Sequence, residues 1–317
     1  MSLLHRSVGC PIHRAMSVAR WVGYRAALAA ALMVLTPALA VAQPEPGLPP
    51  ETTAPASSPA MNGIAHIAIR VKDMNASVDF YHKLGFDHPF DRKTGDVVTQ
   101  SFIKINDRQY IEIYPVTDRD PQIGFLHLCF EGADLNALHD FYVGEGLTPI
   151  SVRTAGAGNL LFTMKGPDQP SGPQNIEYTQ YMPASFHSKD FGQHLGPDRV
   201  GDRMTVVALS MQDPAAARTY YLQKLGFSQS PVSPGHLDLP GKSGQSVEIV
   251  PASELGTRSS IVLSTPDIEK SVSQLKRQQV EFQRAAASAT SNGKTHTVDM
   301  ISVTDPDGNI IRIAQTK

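Results

Sequence analysis

The sequence predicts an α+β fold in which four βαβββ units pair into two domains, each an incomplete barrel that curls around a cavity. Three observations lead to this prediction. One stretch of the chain occurs twice, the elements recur as one strand, one helix and about three strands, and the 317 residues suffice for two hydrophobic cores. The composition, 41% hydrophobic and 18% charged, is typical of globular proteins.

The repeat is clearest around the first helix of each half of the chain. Val71–Phe86 aligns with Met211–Phe227, and both copies place an aspartate at the start of a short amphipathic helix. Both then end the helix with Lys-Leu-Gly-Phe, whose glycine suits the left-handed conformation found after many helices. The chain therefore contains a duplication.

The remaining strands and helices complete the four units. Alternating apolar positions predict strands, and longer amphipathic stretches predict helices. The predicted elements are the strands Thr99–Ile105, Gln109–Tyr114, Phe125–Phe130, Gln245–Val250 and Ser259–Ser264, and the helices Asp134–Val143 and Asp267–Gln278. We assign residues 61–181 to the first domain, 182–202 to an interdomain connection that packs on the surface, and 203–317 to the second domain.

The first 42 residues differ from the rest of the chain. They contain four arginines and no acidic residue, and they are mostly apolar from Ala26 onward. They end in the small-residue sequence Ala40-Val41-Ala42. This pattern predicts a signal peptide over residues 1–42 and export to the periplasm or outside the cell. An uncleaved anchor is the alternative, but Pro37 and the cleavage site favour removal and hence no stable membrane insertion. The sequence leaves open whether translation starts at Met1 or at Met16.

Residues 43–60 are rich in Pro, Ser and Ala and predict a linker without chemistry of its own. The net charge of −2 disfavours nucleic acid as a partner, because a binding protein would show a basic face or tail. Two cysteines, Cys10 and Cys129, make neither a disulfide framework nor a zinc knuckle. We expect a small-molecule substrate, and we leave a homodimer open.

Four polar residues lie within apolar strands of the first domain. His66 and Glu112 occur in its first unit, and His127 and Glu177 follow at a near-equal separation in its second. A buried carboxylate without a partner is costly, so inward-facing glutamates need a cation. Two imidazoles and two carboxylates suit a divalent ion, Zn, Ni, Co, Mn or Fe. A lone strand histidine more often faces solvent, but the matched pairs favour a metal site.

At this point the sequence resembles the vicinal oxygen chelate (VOC) superfamily, which includes glyoxalase I, extradiol dioxygenases, methylmalonyl-CoA epimerase and bleomycin-resistance proteins. The resemblance covers about residues 62–317 and is carried by Asp79–Phe86 and Asp305–Ile311. It implies that paired βαβββ units in residues 61–181 form a metal-binding VOC domain. The implied metal ligands are His66, Glu112, His127 and Glu177.

The second domain departs from this ligand pattern. The positions equivalent to the four ligands are Val206, Glu248, Ser260 and Arg312, so residues 203–317 form a VOC domain without a metal site. We expect Arg312 and Glu248 to form an ion pair where the metal ion would otherwise lie.

The resemblance implies isomerase or lyase chemistry of the glyoxalase or epimerase type, through an enediolate or enolate of a small oxygen-chelating substrate. Glu112 or Glu177 is the expected proton-transfer base. An Fe(II) extradiol dioxygenase is one alternative, but Thr163–Gln169 lacks the tyrosine and first aspartate that such enzymes show there. A non-catalytic, bleomycin-resistance-like binding protein is the other. Export disfavours glyoxalase I itself, whose thiol cosubstrate is cytosolic. The remaining histidines, including His187, receive no role.

Overall fold

The computed structural model describes residues 58–291 and 294–315. The predicted signal peptide and residues 43–57 of the predicted linker lie outside these ranges. The first half forms one eight-stranded sheet in the order β2-β3-β4-β1-β5-β8-β7-β6. Its strands are β1 Met61–Val71, β2 Asp87–Thr94, β3 Val97–Asn106, β4 Gln109–Pro115, β5 Gly124–Gly132, β6 Arg153–Thr154, β7 Leu160–Gln169 and β8 Gly172–Gln180.

The second half repeats this sheet with the order β10-β11-β12-β9-β13-β16-β15-β14. Its strands are β9 Arg203–Met211, β10 Ser228–Gln229, β11 His236–Asp238, β12 Ser246–Pro251, β13 Ser260–Thr265, β14 Gln283–Ser291, β15 Lys294–Thr304 and β16 Ile310–Gln315. The helices are α1 Met74–Lys83, α2 Leu135–Gly144, α3 Phe186–Lys189, α4 Pro214–Gln223, α5 Ala252–Leu255 and α6 Ile268–Arg277. Both sheets are open, and the predicted α+β fold of four βαβββ units is confirmed.

The same local signals start and end the repeated helices. The N-terminal caps of α1 and α4, Asp73 and Asp213, each accept a hydrogen bond from the backbone N–H three residues later. The glycines of the two Lys-Leu-Gly-Phe stretches, Gly85 and Gly226, have φ of 85° and 75°. Only glycine adopts this conformation without steric cost, so each helix ends where the sequence predicts.

Strand alternation separates the core from the site. In β1, Ile67 and Ile69 belong to the hydrophobic core, whereas His66 and Ala68 face the other side of the sheet. In β4, Ile111 and Ile113 join the core and Glu112 takes the opposite face. The polar residues predicted from the sequence therefore share the inner face of the first sheet.

The register of the second sheet confirms the equivalences between the two halves. Glu112 pairs with Ala68 and Glu248 with Ala208, while Cys129 pairs with Glu177 and Val262 with Arg312. Arg312 Nη1 lies 3.7 Å from Glu248 Oε2, so the predicted ion pair is present.

We expected the segment from 182 to 202 to pack on the surface, and the structure places part of it in the interior. Ser185, His187 and Asp190 are buried, and His187 of α3 packs against aromatic side chains of the first sheet. The cause is Lys104 on β3, whose fully buried Nζ donates to the Asp190 carboxylate at 2.8 Å and to the Gln193 carbonyl at 2.7 Å. A buried ammonium needs such partners. The connecting segment supplies these two, and Asp107, whose Oδ1 also lies 2.8 Å from Nζ, supplies a third.

The described residues form one compact unit. Phe130 of the first half packs against Phe227 of the second, with ring centroids 5.5 Å apart. Among the helices of the described ranges, none has the length and apolarity required to cross a bilayer.

Candidate metal centre

Four side chains from four strands meet on the inner face of the first sheet. His66 on β1 lies at the centre: its Nε2 is 3.2 Å from His127 Nε2 and 3.4 Å from Glu177 Oε1. On the other side of the ring, Nδ1 lies 3.5 Å from Glu112 Oε1. The structure therefore brings together all four residues predicted from the sequence.

The four residues are not equivalent in this arrangement. Glu112 shares a compact group with both imidazoles, in which all ligand atoms lie within 4.8 Å of one another. Glu177 belongs instead to an overlapping group with His66 and Cys129. The two groups share His66, so Glu112 and Glu177 approach the same imidazole from different sides.

Glu112 is the more firmly held of the two carboxylates. Its Oε2 accepts hydrogen bonds from Gln100 Nε2 at 2.6 Å and from the Tyr114 hydroxyl at 3.0 Å. These two donors fix the carboxylate plane and leave Oε1 facing His66. The side chain of Glu177 is 14% exposed, compared with 7% for Glu112, and has fewer neighbours that restrict it.

The electrostatics of the cluster follow from burial and from the two carboxylates. Burial lowers the pKa of His127 to about 4 and raises the pKa of Glu112. Burial also opposes a charge on His66, but Glu112 and Glu177 outweigh it and raise the pKa of that imidazole. A proton on His66 therefore supplies positive charge between the carboxylates.

These residues fit a divalent metal ion. His66, His127 and Glu112 are buried and Glu177 is partly buried beside them, and among the ion pairs of the described chain neither carboxylate is paired with a lysine or arginine. In addition, His66 Nδ1 is buried without a hydrogen-bond partner. Imidazole and carboxylate groups in this number are typical ligands of Zn, Mn, Fe, Co and Ni.

Cys129, two residues after His127 on β5, approaches the cluster as well. Its thiol is fully buried beside Glu177, and burial raises the pKa of the thiol well above its usual range. Cys129 therefore lies against the cluster, within the group that it forms with His66 and Glu177.

The cluster borders two cavities. A cavity of about 150 Å³ is lined by His66, Glu112 and Glu177, while His127 faces a larger one of about 550 Å³ on the other side. Tyr114 borders both. A small molecule in the first cavity therefore reaches both carboxylates.

The sequence analysis missed His187, which also lines the smaller cavity. The ring is 4% exposed, and its Nδ1 lies 2.9 Å from Asn159 Nδ2. Because the Asn159 amide donates to Nδ1, the hydrogen of the neutral ring is on Nε2, and Nε2 has no partner. The only signal in the sequence was Ser185, which caps a single helical turn but says nothing about burial.

Comparisons with known proteins agree with this geometry. The family model for the Glyoxalase/Bleomycin resistance protein/Dioxygenase superfamily matches residues 63–173 and 203–313. The chain belongs to this superfamily. Each match covers one of the two sheets, so both halves are members of the superfamily, and among the described residues the ligand cluster lies in the first half. No curated protein sequence matches the chain.

Solved structures of this superfamily share the fold at low sequence identity. The Mn(II)-bound glyoxalase from Novosphingobium aromaticivorans has a TM-score of 0.60 and 13% identity, covering 81% of this chain and 82% of that one. Catechol 2,3-dioxygenase has a TM-score of 0.60 and 10% identity, covering 82% and 89%. The 2,3-dioxygenase LapB from Pseudomonas sp. KL28 has a TM-score of 0.55 and 14% identity, covering 82% and 94%.

Proposed function

We propose that the chain is an exported, metal-dependent isomerase or lyase that acts on a small molecule with two neighbouring oxygens. The observation that carries the proposal is the second carboxylate: Glu112 groups with both imidazoles, and Glu177 stays beside them facing the same cavity. A two-histidine, one-carboxylate set already suffices to hold an ion. Glu177 is therefore available for proton transfer.

In this proposal His66, His127 and Glu112 hold the ion. A bound divalent ion supplies a Lewis acid that draws electron density from substrate oxygens and stabilises the negative charge of an enolate or enediolate. Gln100 and Tyr114 keep Glu112 in place through their hydrogen bonds. Such supporting contacts orient ligands and typically account for ten- to hundredfold in metal affinity.

Glu177 performs the proton transfer. Its carboxylate accepts the proton from the carbon next to the substrate oxygens and, in an isomerase, returns it to the neighbouring carbon. The cavity is small, and Phe102, Leu161 and Ala157 form an apolar part of its lining.

The glutamates provide a direct test of these roles. We expect Glu112→Gln to lose bound metal, and Glu177→Gln to keep it while kcat falls by about a hundredfold or more, because general acid–base catalysis contributes about that much. Elemental analysis and steady-state kinetics measure both quantities. Glu248→Gln, at the position in the second sheet equivalent to Glu112, is the matched control and should change neither.

The assignment of Glu177 is wrong if both glutamate variants lose metal to the same extent. The reaction class is tested by proton NMR in D₂O without oxygen, using metal-loaded protein and a panel of α-hydroxy ketones and 2-oxo acids. Exchange of the hydrogen next to the carbonyl supports the proposal. Oxygen uptake with catechols and Fe(II) favours a dioxygenase instead, and ligand binding without either reaction favours a binding protein.

A further inference from the structure

Two arginines from opposite ends of the first sheet line the same small cavity. Arg92 lies on β2 and Arg153 on β6, which are the two edge strands of an eight-stranded sheet. The sheet curves so far that the turn after β6 reaches β2, and a Cβ added at Gly156 would overlap the Arg92 guanidinium. Curvature therefore places two positive charges at one opening.

Neither guanidinium is neutralised within the described part of the chain. Arg92 Nη1 donates to the amide oxygen of Gln100 at 3.2 Å. The side chain of Arg153 has no hydrogen bond or ion pair with described residues. The acidic residues that line the cavity are Glu112 and Glu177, both at the metal centre. The opening is thus positively charged, which in a cleft with low-dielectric walls attracts anions.

The distance between this opening and the metal centre is short. Gln100 bridges the two, because it accepts from Arg92 and donates to Glu112 Oε2 at 2.6 Å. A molecule that reaches from the arginines at the opening to the metal centre therefore spans little more than the length of one glutamine side chain.

We propose that the substrate carries a carboxylate, which Arg92 and Arg153 bind at the opening of the cavity while its neighbouring oxygens face the metal centre. This inference rests on the proposed function and adds the class of substrate. Guanidinium groups bind carboxylates through paired, charge-assisted hydrogen bonds, which gives them both strength and orientation.

The test compares two probes that differ only in the carboxylate. Catechol and 3,4-dihydroxybenzoate are titrated calorimetrically into zinc-loaded protein. We expect 3,4-dihydroxybenzoate to bind at least about tenfold more tightly than catechol to the unmodified protein. Arg92→Gln and Arg153→Gln should each remove most of this preference. Gly156→Ala should also reduce it, because the methyl group displaces the Arg92 guanidinium without removing its charge.

Arg119→Gln is the matched control, since Arg119 is an exposed arginine of the first half that does not line the cavity. The inference is wrong if the unmodified protein binds both probes equally, or if the arginine variants keep the preference of the control. Benzoate, which has no chelating oxygens, is titrated into metal-free protein as a separate arm. Arginine-dependent benzoate binding in a protein that takes up no metal would reject the proposed function and support the anion site.

Discussion

Replacing His66 with alanine is expected to remove bound metal almost completely. His66 is the one residue that lies within 3.5 Å of Glu112, Glu177 and His127, so its loss takes away a ligand and the contact that joins the other three. Even residues that only support a ligand account for about ten- to hundredfold in metal affinity. We therefore expect affinity to fall by more than about a hundredfold, measured by elemental analysis of protein purified without chelator.

His82→Ala is the control, because His82 is exposed on α1 and belongs to neither group of candidate ligands. Thermal unfolding with and without added metal distinguishes loss of the metal site from misfolding. Added metal should raise the Tm of the unmodified protein and of His82→Ala, because a ligand that binds only the folded state stabilises it. It should leave the Tm of His66→Ala unchanged. Equal metal content in the two variants would contradict the assignment of the metal centre.

The largest effect on stability is expected at Lys104. Lys104→Met keeps the length and apolar stem of the side chain but removes the charge that faces Asp190, whose side chain is 8% exposed. Breaking a buried ion pair by removing one partner typically costs about 3 kcal/mol or more. Here Asp107 loses the same ammonium, and Asp190 keeps only His194, whose side chain is half exposed. We expect the free energy of unfolding to fall by that amount, measured by urea denaturation.

Lys189→Met is the matched control, since Lys189 lies on α3 of the same segment and is exposed. Hydrogen exchange separates a local effect from a global one. The amides between residues 185 and 193 should exchange faster in Lys104→Met, because the Lys104 ammonium donates to the backbone carbonyls of Asp190 and Gln193. Equal stability and equal exchange in the two variants would show that Lys104 does not hold the segment.

The residues that sequence reasoning placed correctly belong to regular strands. His66, Glu112, His127 and Glu177 alternate with core residues, so strand periodicity places each of them on the face opposite the core. The pairing of βαβββ units around a shared cavity then brings these faces together. The alignment of the two halves identified Glu248 and Arg312 as the pair that replaces ligands in the second sheet, and the structure confirms their contact.

The residues that sequence reasoning missed depend on long-range packing. His187 lies in a segment without periodicity, and its burial depends on Lys104, a residue of the first unit more than eighty positions earlier. Arg92 and Arg153 meet at one cavity only because the sheet curves enough to bring its edges together. Strand curvature and a buried lysine leave no local pattern from which these neighbours could be predicted.

The connecting segment also limits where recombination can separate the two copies of the repeat. The helix α3 packs on the first half but follows its last strand in the sequence. The two copies of the repeat therefore cannot be exchanged for one another. Recombination that ended the first copy at β8 would take Asp190 and Gln193 away from Lys104, leaving Asp107 as its counter-charge, and would remove the wall that His187 provides to the cavity. A breakpoint that preserves the cavity must fall beyond Gln193. That position lies within the segment between the two copies, which the repeat alone would mark as a spacer.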